Sequence, residues 1–185
     1  MKKKLEVRVF TLSPEVHTDS AGNFLIEYAR VETPTGPACL AKSGGRVVNL
    51  LLTTDRARVV AQLEREWKGS KVRESKEAIK EFAEELFTGT CQRVDLLLKG
   101  TPFQLEVWKA LVKIPSGETV SYQDVADRIG QPSAVRAVAN AIGANPVCLL
   151  VPCHRVIKSD GSLGGFGAGS ARKQQILNAE DVRLN

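Results

Sequence analysis

Cys153 and His154 stand side by side in the stretch VPCHRVIKSDGSLGGFG (residues 151–167), behind a proline and ahead of a run dense in glycine. A thiol beside an imidazole is the pair that makes a nucleophile at neutral pH, because the ring can take the proton that keeps sulfur weak. On an extended strand neighbouring side chains point to opposite faces, so the two could not serve one reactant unless the chain bends. Pro152 supplies a bend. It holds Val151 extended and removes a backbone donor, so the apolar run from Cys148 to Val151 predicts a strand that stops just before Cys153. Two readings stay open on these residues alone: a nucleophile with its base, as in a cysteine hydrolase that would turn over repeatedly, or one more buried thiol beside a satisfied turn histidine.

The elements that must hold this pair lie upstream and downstream. Thr101 and Pro102 form a start signal for a helix in PFQLEVWKALVKI, where Phe103, Val107, Leu111 and Ile114 recur at helical spacing, and Pro115, Ser116 and Gly117 end it. Ser121 with Asp124 resembles a capping box opening SYQDVADRI, Gly130 closes that helix, and Ser133 starts a second one through about Ala144. Two short helices about a glycine-containing turn are the helix-turn-helix pattern, which serves DNA binding and plain scaffolding alike. The second helix is small and apolar except for Arg136 and Asn140. If it meets DNA, its alanines allow close approach but do not supply the polar readers that base recognition needs.

The first hundred residues read differently. Residues 24–32, 38–42 and 46–53 predict strands, separated by the turn chemistry of TPTGP and SGG and therefore arranged as two hairpins. Asp55 caps an amphipathic helix carrying Val59, Val60, Leu63 and Trp67, and Ser75 opens another carrying Ile79, Phe82, Ala83 and Leu86. The expectation is an α/β N-terminal domain over residues 1–98, a small sheet plus helices, followed by a mainly α domain over 99–185. No chemistry is legible in the first of these.

Composition narrows the classes. The 185 residues are 43% hydrophobic, ordinary for a folded globular chain, and carry a formal charge of +5. Residues 101–185 hold nine Lys plus Arg against seven Asp plus Glu, a net of +2, which leaves +3 for residues 1–100. Such a mild, spread-out excess is weak support for a polyanionic partner. Glu6 and Arg8 interrupt the opening MKKKLEVRVF, which is read as neither an export signal nor a membrane span, so the expectation is a cytoplasmic protein, or a nuclear one in a eukaryote. Cys39, Cys91, Cys148 and Cys153 show no CxxC spacing and the histidines are only His17 and His154, which argues against a zinc site. Reduced thiols are expected, with Cys148 in PVCLLV a buried core residue.

At PCHRV the chain resembles the O6-alkylguanine-DNA alkyltransferases, with SYQDVA upstream, RAVANAIGANP between, and GSLGGFG downstream before a helix that ends in Glu180. The blocks keep their order and spacing from about Thr101 to Glu180. The first hundred residues are similar to that family's ribonuclease H-like N-terminal domain in size and strand order only. The resemblance implies direct, stoichiometric and irreversible transfer of an alkyl group from O6-alkylguanine, and from O4-alkylthymine, to a cysteine. It also implies base flipping by a helix-turn-helix in the minor groove, double-stranded DNA as partner, a monomer, and neither metal nor organic cofactor.

Residue by residue, the resemblance implies Cys153 as acceptor, His154 as the base acting through a water, and Glu180 as the group that orients that imidazole. Asn145 would tie the recognition helix to the active-site turn, and Tyr122 would lie near the flipped base and its phosphate and give a proton to the leaving guanine. Arg136 would enter the duplex in place of the extruded nucleotide, with Ser133, Ala137, Asn140 and Tyr122 contacting DNA. Pro152, Val156, Phe166 and Gly167 would line the base pocket. Where the family often carries a hydroxyl near the loop, this chain has Phe166 and Gly167, so a backbone amide would serve the guanine oxygen. A lesion-binding relative without the acceptor is disfavoured by Cys153, and a regulator fused to a metal sensor by the absence of a cysteine cluster.

Overall fold

A computed structural model describes residues 5–12 and 24–182; His17 lies outside them. The chain divides into two units, one ending at Gly100 and the other beginning at Thr101.

Among the described residues the first unit is a mixed six-stranded sheet with two helices. Its strands are β1 (Glu6–Leu12), β2 (Leu25–Thr33), β3 (Gly36–Ser43), β4 (Arg46–Leu51), β5 (Lys71–Glu74) and β6 (Arg93–Lys99), in the order β1-β6-β4-β3-β2-β5. The predicted hairpins are there: β2, β3 and β4 run antiparallel in sequence. Gly44 and Gly45, both at positive φ (53° and 80°), make the β3–β4 turn, a geometry that side-chain-bearing residues resist. Strands β1, β5 and β6 add parallel pairings that the residues did not announce. The core on one side gathers Ile26, Tyr28, Cys39, Ala41 and Val48 with Val59 and Leu63 of α1 (Arg56–Glu66) and Trp67, which caps its C-terminal end. Asp55 caps α1 by accepting from Arg58 N, whereas Ser75, ahead of α2 (Lys76–Thr88), makes no side-chain cap bond.

The described residues of the second unit form four α-helices: α3 (Pro102–Val112), α4 (Tyr122–Arg128), α5 (Val135–Gly143) and α6 (Ser170–Ala179). Helix α3 starts at Pro102 behind Thr101, as predicted, and the capping box expected of Ser121 with Asp124 starts α4; a second box, Thr101 with Gln104, which the residues did not announce, caps α3. Helix α5 begins later than Ser133, because residues 131–134 close a turn through Ala134 N to Gln131 O and Ala134 becomes the cap. The buried Trp108 of α3 donates its indole N–H to Ala141 O of α5 at 2.8 Å, and so pins the two helices together. A two-stranded parallel ladder of β7 (Val120–Ser121) and β8 (Val156–Ile157) links the start of α4 to the segment after Cys153.

The predicted strand at residues 148–151 does not form. Those residues turn instead: Leu149 takes a left-handed φ of 69°, Leu150 N bonds Cys148 O, and Val151 N bonds Val147 O. Asn145 enforces the turn, since its side chain accepts from Val147 N and donates to Val151 O. A buried amide that answers backbone groups locally outcompetes a strand ladder, which periodicity in an apolar run cannot register. No helix among the described residues is long and apolar enough to cross a membrane.

Candidate functional site

Cys153 opens a single 3-10 turn, Cys153–Arg155, immediately after Pro152, and it is buried (6% exposed). Its thiol is held below the ordinary cysteine range by contact with the Cys148 side chain, and further by the Asn145 side chain and the positive charge of Lys173, against the opposing effect of burial. Cys148 is only half-buried, not the core residue its apolar neighbours predict, and its own thiol is pushed well up by the same contact and by desolvation. Asn145, just beyond the C-terminal end of α5, braces the turn through its bond to Val151 O.

His154 and Glu180 come together across 26 positions of sequence: Nε2 of the buried imidazole lies 3.2 Å from Glu180 Oε1. That contact assigns the Nε2–H tautomer and leaves Nδ1 buried, with no partner among the described residues and a lone pair free to take a proton. Burial depresses the pKa of His154 despite its carboxylate, and Arg155 and Lys173 lower it further, so the ring is neutral at neutral pH. Glu180 caps the C-terminal end of α6, and two strong partners fix it there. Arg155 Nε and Nη2 donate to its two oxygens at 2.9 and 2.6 Å. Although burial favours its protonated form, the bonds from His154 and Arg155 prevail and bring its pKa down to about 2.

Two of these groups carried no signal in the sequence. Arg155, which also donates to Ile114 O, reads as an ordinary surface arginine until the fold returns Glu180 to it. Lys173 is fully buried in α6, and its ammonium donates to Val156 O and Leu163 O at 2.5 Å each. Burial lowers its pKa to about 8, and the nearby Cys153 charge opposes that fall, so at neutral pH it remains a cation. Val156 in turn bonds Cys153 O through its own N–H, which ties the ammonium to the acceptor turn.

Tyr122, half-buried at the start of α4, keeps its phenolic proton: burial and then the Cys153 charge raise its pKa, against a backbone bond from Gly165. Gly164, at φ 69°, passes so close that a Cβ there would lie 2.8 Å from the Tyr122 hydroxyl. Substituting Gly164→Ala is therefore expected to cost about 1 kcal/mol in backbone strain and to displace the phenol. Chemical denaturation should register the small loss, while the rate of Cys153 modification by the substrate falls by about an order of magnitude. Gly167 has open space at its Cβ position and Phe166 is half-buried, so the loop itself walls the site lightly. Pro152 and Val156 are buried beside the thiol.

Helix α5 presents a second surface. Val138, Ala141 and Ile142 are buried, whereas Arg136, Ala137 and Asn140 are exposed, with Ser133 exposed just ahead of them. One long cation thus projects from a face of small residues at helical spacing. The arrangement as a whole can deprotonate and aim one thiol, and it offers a protonated phenol to a leaving group.

The model of the 6-O-methylguanine DNA methyltransferase DNA binding domain matches residues 102–182. The methylated-DNA–protein-cysteine methyltransferase of Mycobacterium bovis is 40% identical over 166 residues, covering 86% of this chain and 94% of the relative. The bifunctional transcriptional activator/DNA repair enzyme Ada of Escherichia coli K12 is 37% identical over 163 residues; the match covers 85% of this chain and 46% of Ada, about half of that longer protein. The crystal structure of Mycobacterium tuberculosis OGT in complex with DNA is similar with a TM-score of 0.66 at 39% identity, covering 83% of this chain and 92% of that one.

Proposed function

The chain belongs to the methylated-DNA–protein-cysteine methyltransferase family, and from that premise we propose that it repairs O6-alkylguanine in double-stranded DNA by moving the alkyl group to Cys153. The observation that carries the reading is the buried Cys153 thiol, set below its ordinary pKa at the end of a turn that also carries His154 and its Glu180 brace. The Cys153 proton passes to His154 Nδ1 across a bridging water, and Glu180 stabilises the imidazolium that results. Sulfur then attacks the alkyl carbon in line, the carbon–oxygen bond breaks, and the electron pair leaves on the guanine. Tyr122 supplies a proton to that leaving base. O4-alkylthymine presents the same alkyl–oxygen bond and is a second substrate of the same step.

The lesion oxygen is hidden by pairing, so the nucleotide must leave the stack. Helices α4 and α5 act as a helix-turn-helix in the minor groove, with Ser133, Ala137, Asn140 and Tyr122 along the backbone and Arg136 filling the vacated position. Pro152, Val156, Phe166 and Gly167 line the pocket that receives the base. The first unit is a ribonuclease H-like domain, and the protein works as a monomer in the compartment that holds DNA, the cytoplasm or a nucleus. Arg136→Ala is expected to slow transfer from duplex DNA roughly tenfold or more, since holding a base out of the stack costs a few kcal/mol, and to leave transfer from the free modified nucleobase unchanged. Parallel rate measurements on the two substrates check it.

The product is a thioether, which has no electrophilic carbon for water to attack. Each chain therefore acts once. With lesion duplex in excess, methyl transfer should plateau at one group per chain; continued turnover would instead mark a hydrolase-like use of the same cysteine and histidine.

A further inference from the structure

Cys148 has no part in alkyl transfer, yet the fold sets it against the acceptor. The left-handed Leu149, the Val151 N to Val147 O bond and the Cys153 N to Val151 O bond fold residues 147–153 back on themselves, and the two thiols meet. The pair is asymmetric: Cys153 is buried and inclined to the thiolate, whereas Cys148 is half-buried and stays a protonated thiol. A low-pKa nucleophilic sulfur with a second thiol beside it is the chemistry of a peroxide-reactive dithiol. The other two cysteines are not so placed: Cys39 is buried in the core of the first unit's sheet, and Cys91 bonds Arg93 O.

We propose that Cys153 and Cys148 form a dithiol that reacts with hydroperoxides and closes a reversible disulfide over the alkyl acceptor. The proposal rests on Cys153 being the nucleophile of the site. In the first step the Cys153 thiolate attacks a peroxide oxygen: the S–O bond forms, the O–O bond breaks, and the peroxide is reduced to water or an alcohol, leaving a sulfenic acid. In the second, the Cys148 sulfur attacks the sulfenyl sulfur, the S–S bond forms, and water leaves with the oxygen and the thiol proton. The disulfide has no thiolate to receive an alkyl group, so repair stops. It also shields Cys153 from the irreversible sulfinic and sulfonic stages, and any dithiol reductant restores it.

The test uses the full chain, reduced, exposed to a few equivalents of hydrogen peroxide, then denatured with excess N-ethylmaleimide. Trypsin cuts after Arg136 and Arg155, so both thiols fall in the single peptide 137–155. The expected result is that this peptide becomes two hydrogens lighter and refuses the label, that methyl transfer is lost in step with it, and that dithiothreitol restores both. In Cys148→Ala the same treatment should add oxygen to Cys153 instead. Added oxygen on Cys153 in the parent chain, a peptide that takes two labels, or a link from it to another peptide would each overturn the proposal. The untreated chain assayed for methyl transfer keeps the acceptor reading separate: its failure there would leave the peptide chemistry as an independent result.

Discussion

Replacing Glu180 by glutamine is expected to slow alkyl transfer by about two to three orders of magnitude, the range that a mispositioned general base costs. The substitution keeps size and shape but removes the charge that both His154 and Arg155 address. The imidazolium formed when Cys153 loses its proton then has no counter-charge, and Arg155, 13% exposed, is left as a cation facing an amide. Breaking such a pair while one partner stays enclosed costs about 3 kcal/mol of stability. The pH dependence carries the sign. A carboxylate whose pKa is brought down to about 2 contributes stability that is fully present above the ordinary carboxylate range and is lost as pH falls toward about 2. Denaturation of the glutamine variant should lack that part of the acid limb. Single-turnover rates and denaturation curves, taken together, separate the catalytic from the structural loss.

The second large effect is expected at Lys173→Met. Methionine fills comparable volume, yet it leaves the Val156 and Leu163 carbonyls without their donor, at about 1–3 kcal/mol for each buried group. It also removes the positive charge that favours the Cys153 thiolate, so the pH profile of Cys153 alkylation should shift to higher pH as well as fall. The groups around that thiol are Cys148, Asn145 and Lys173, with Tyr122 sensing its charge, so the shift has to be read against all four. The parent has its own signature. Because the pKa of Lys173 lies at about 8, below the ordinary lysine value, the cost of burying its charge is relieved as pH rises through about 8. Between that point and roughly pH 10 the parent should gain stability relative to the variant. A structural role alone would lower the melting temperature without moving the alkylation profile.

How much of this was readable from residues depends on the range of the interaction. The helix start at Thr101, the Ser121 capping box, the Asp55 cap and the β2–β3–β4 hairpins follow from neighbours within a few positions, and they stand where expected. Helix α5 and the turn at 148–151 departed from expectation because a local backbone bond at Gln131 and a buried amide at Asn145 override propensity. The parallel strands β1 and β6 pair across more than eighty positions, which no local pattern encodes. The site divides the same way. Cys153, His154 and the exposed cation of α5 could be named from motif and spacing. Arg155 and Lys173 gain meaning only when α6 returns to the acceptor turn, and Cys148 only when its segment turns instead of extending.

The central claim is that Cys153 keeps the alkyl group it removes. Incubating the chain with an equimolar duplex carrying one O6-methylguanine, digesting, and weighing the peptide 137–155 tests it directly, with Cys153→Ala as control. One methyl in place of one hydrogen is expected on that peptide, at Cys153, with unmodified guanine left in the duplex and no change in the control. A duplex that is bound but keeps its methyl, or is demethylated while the peptide mass stays constant, would contradict it.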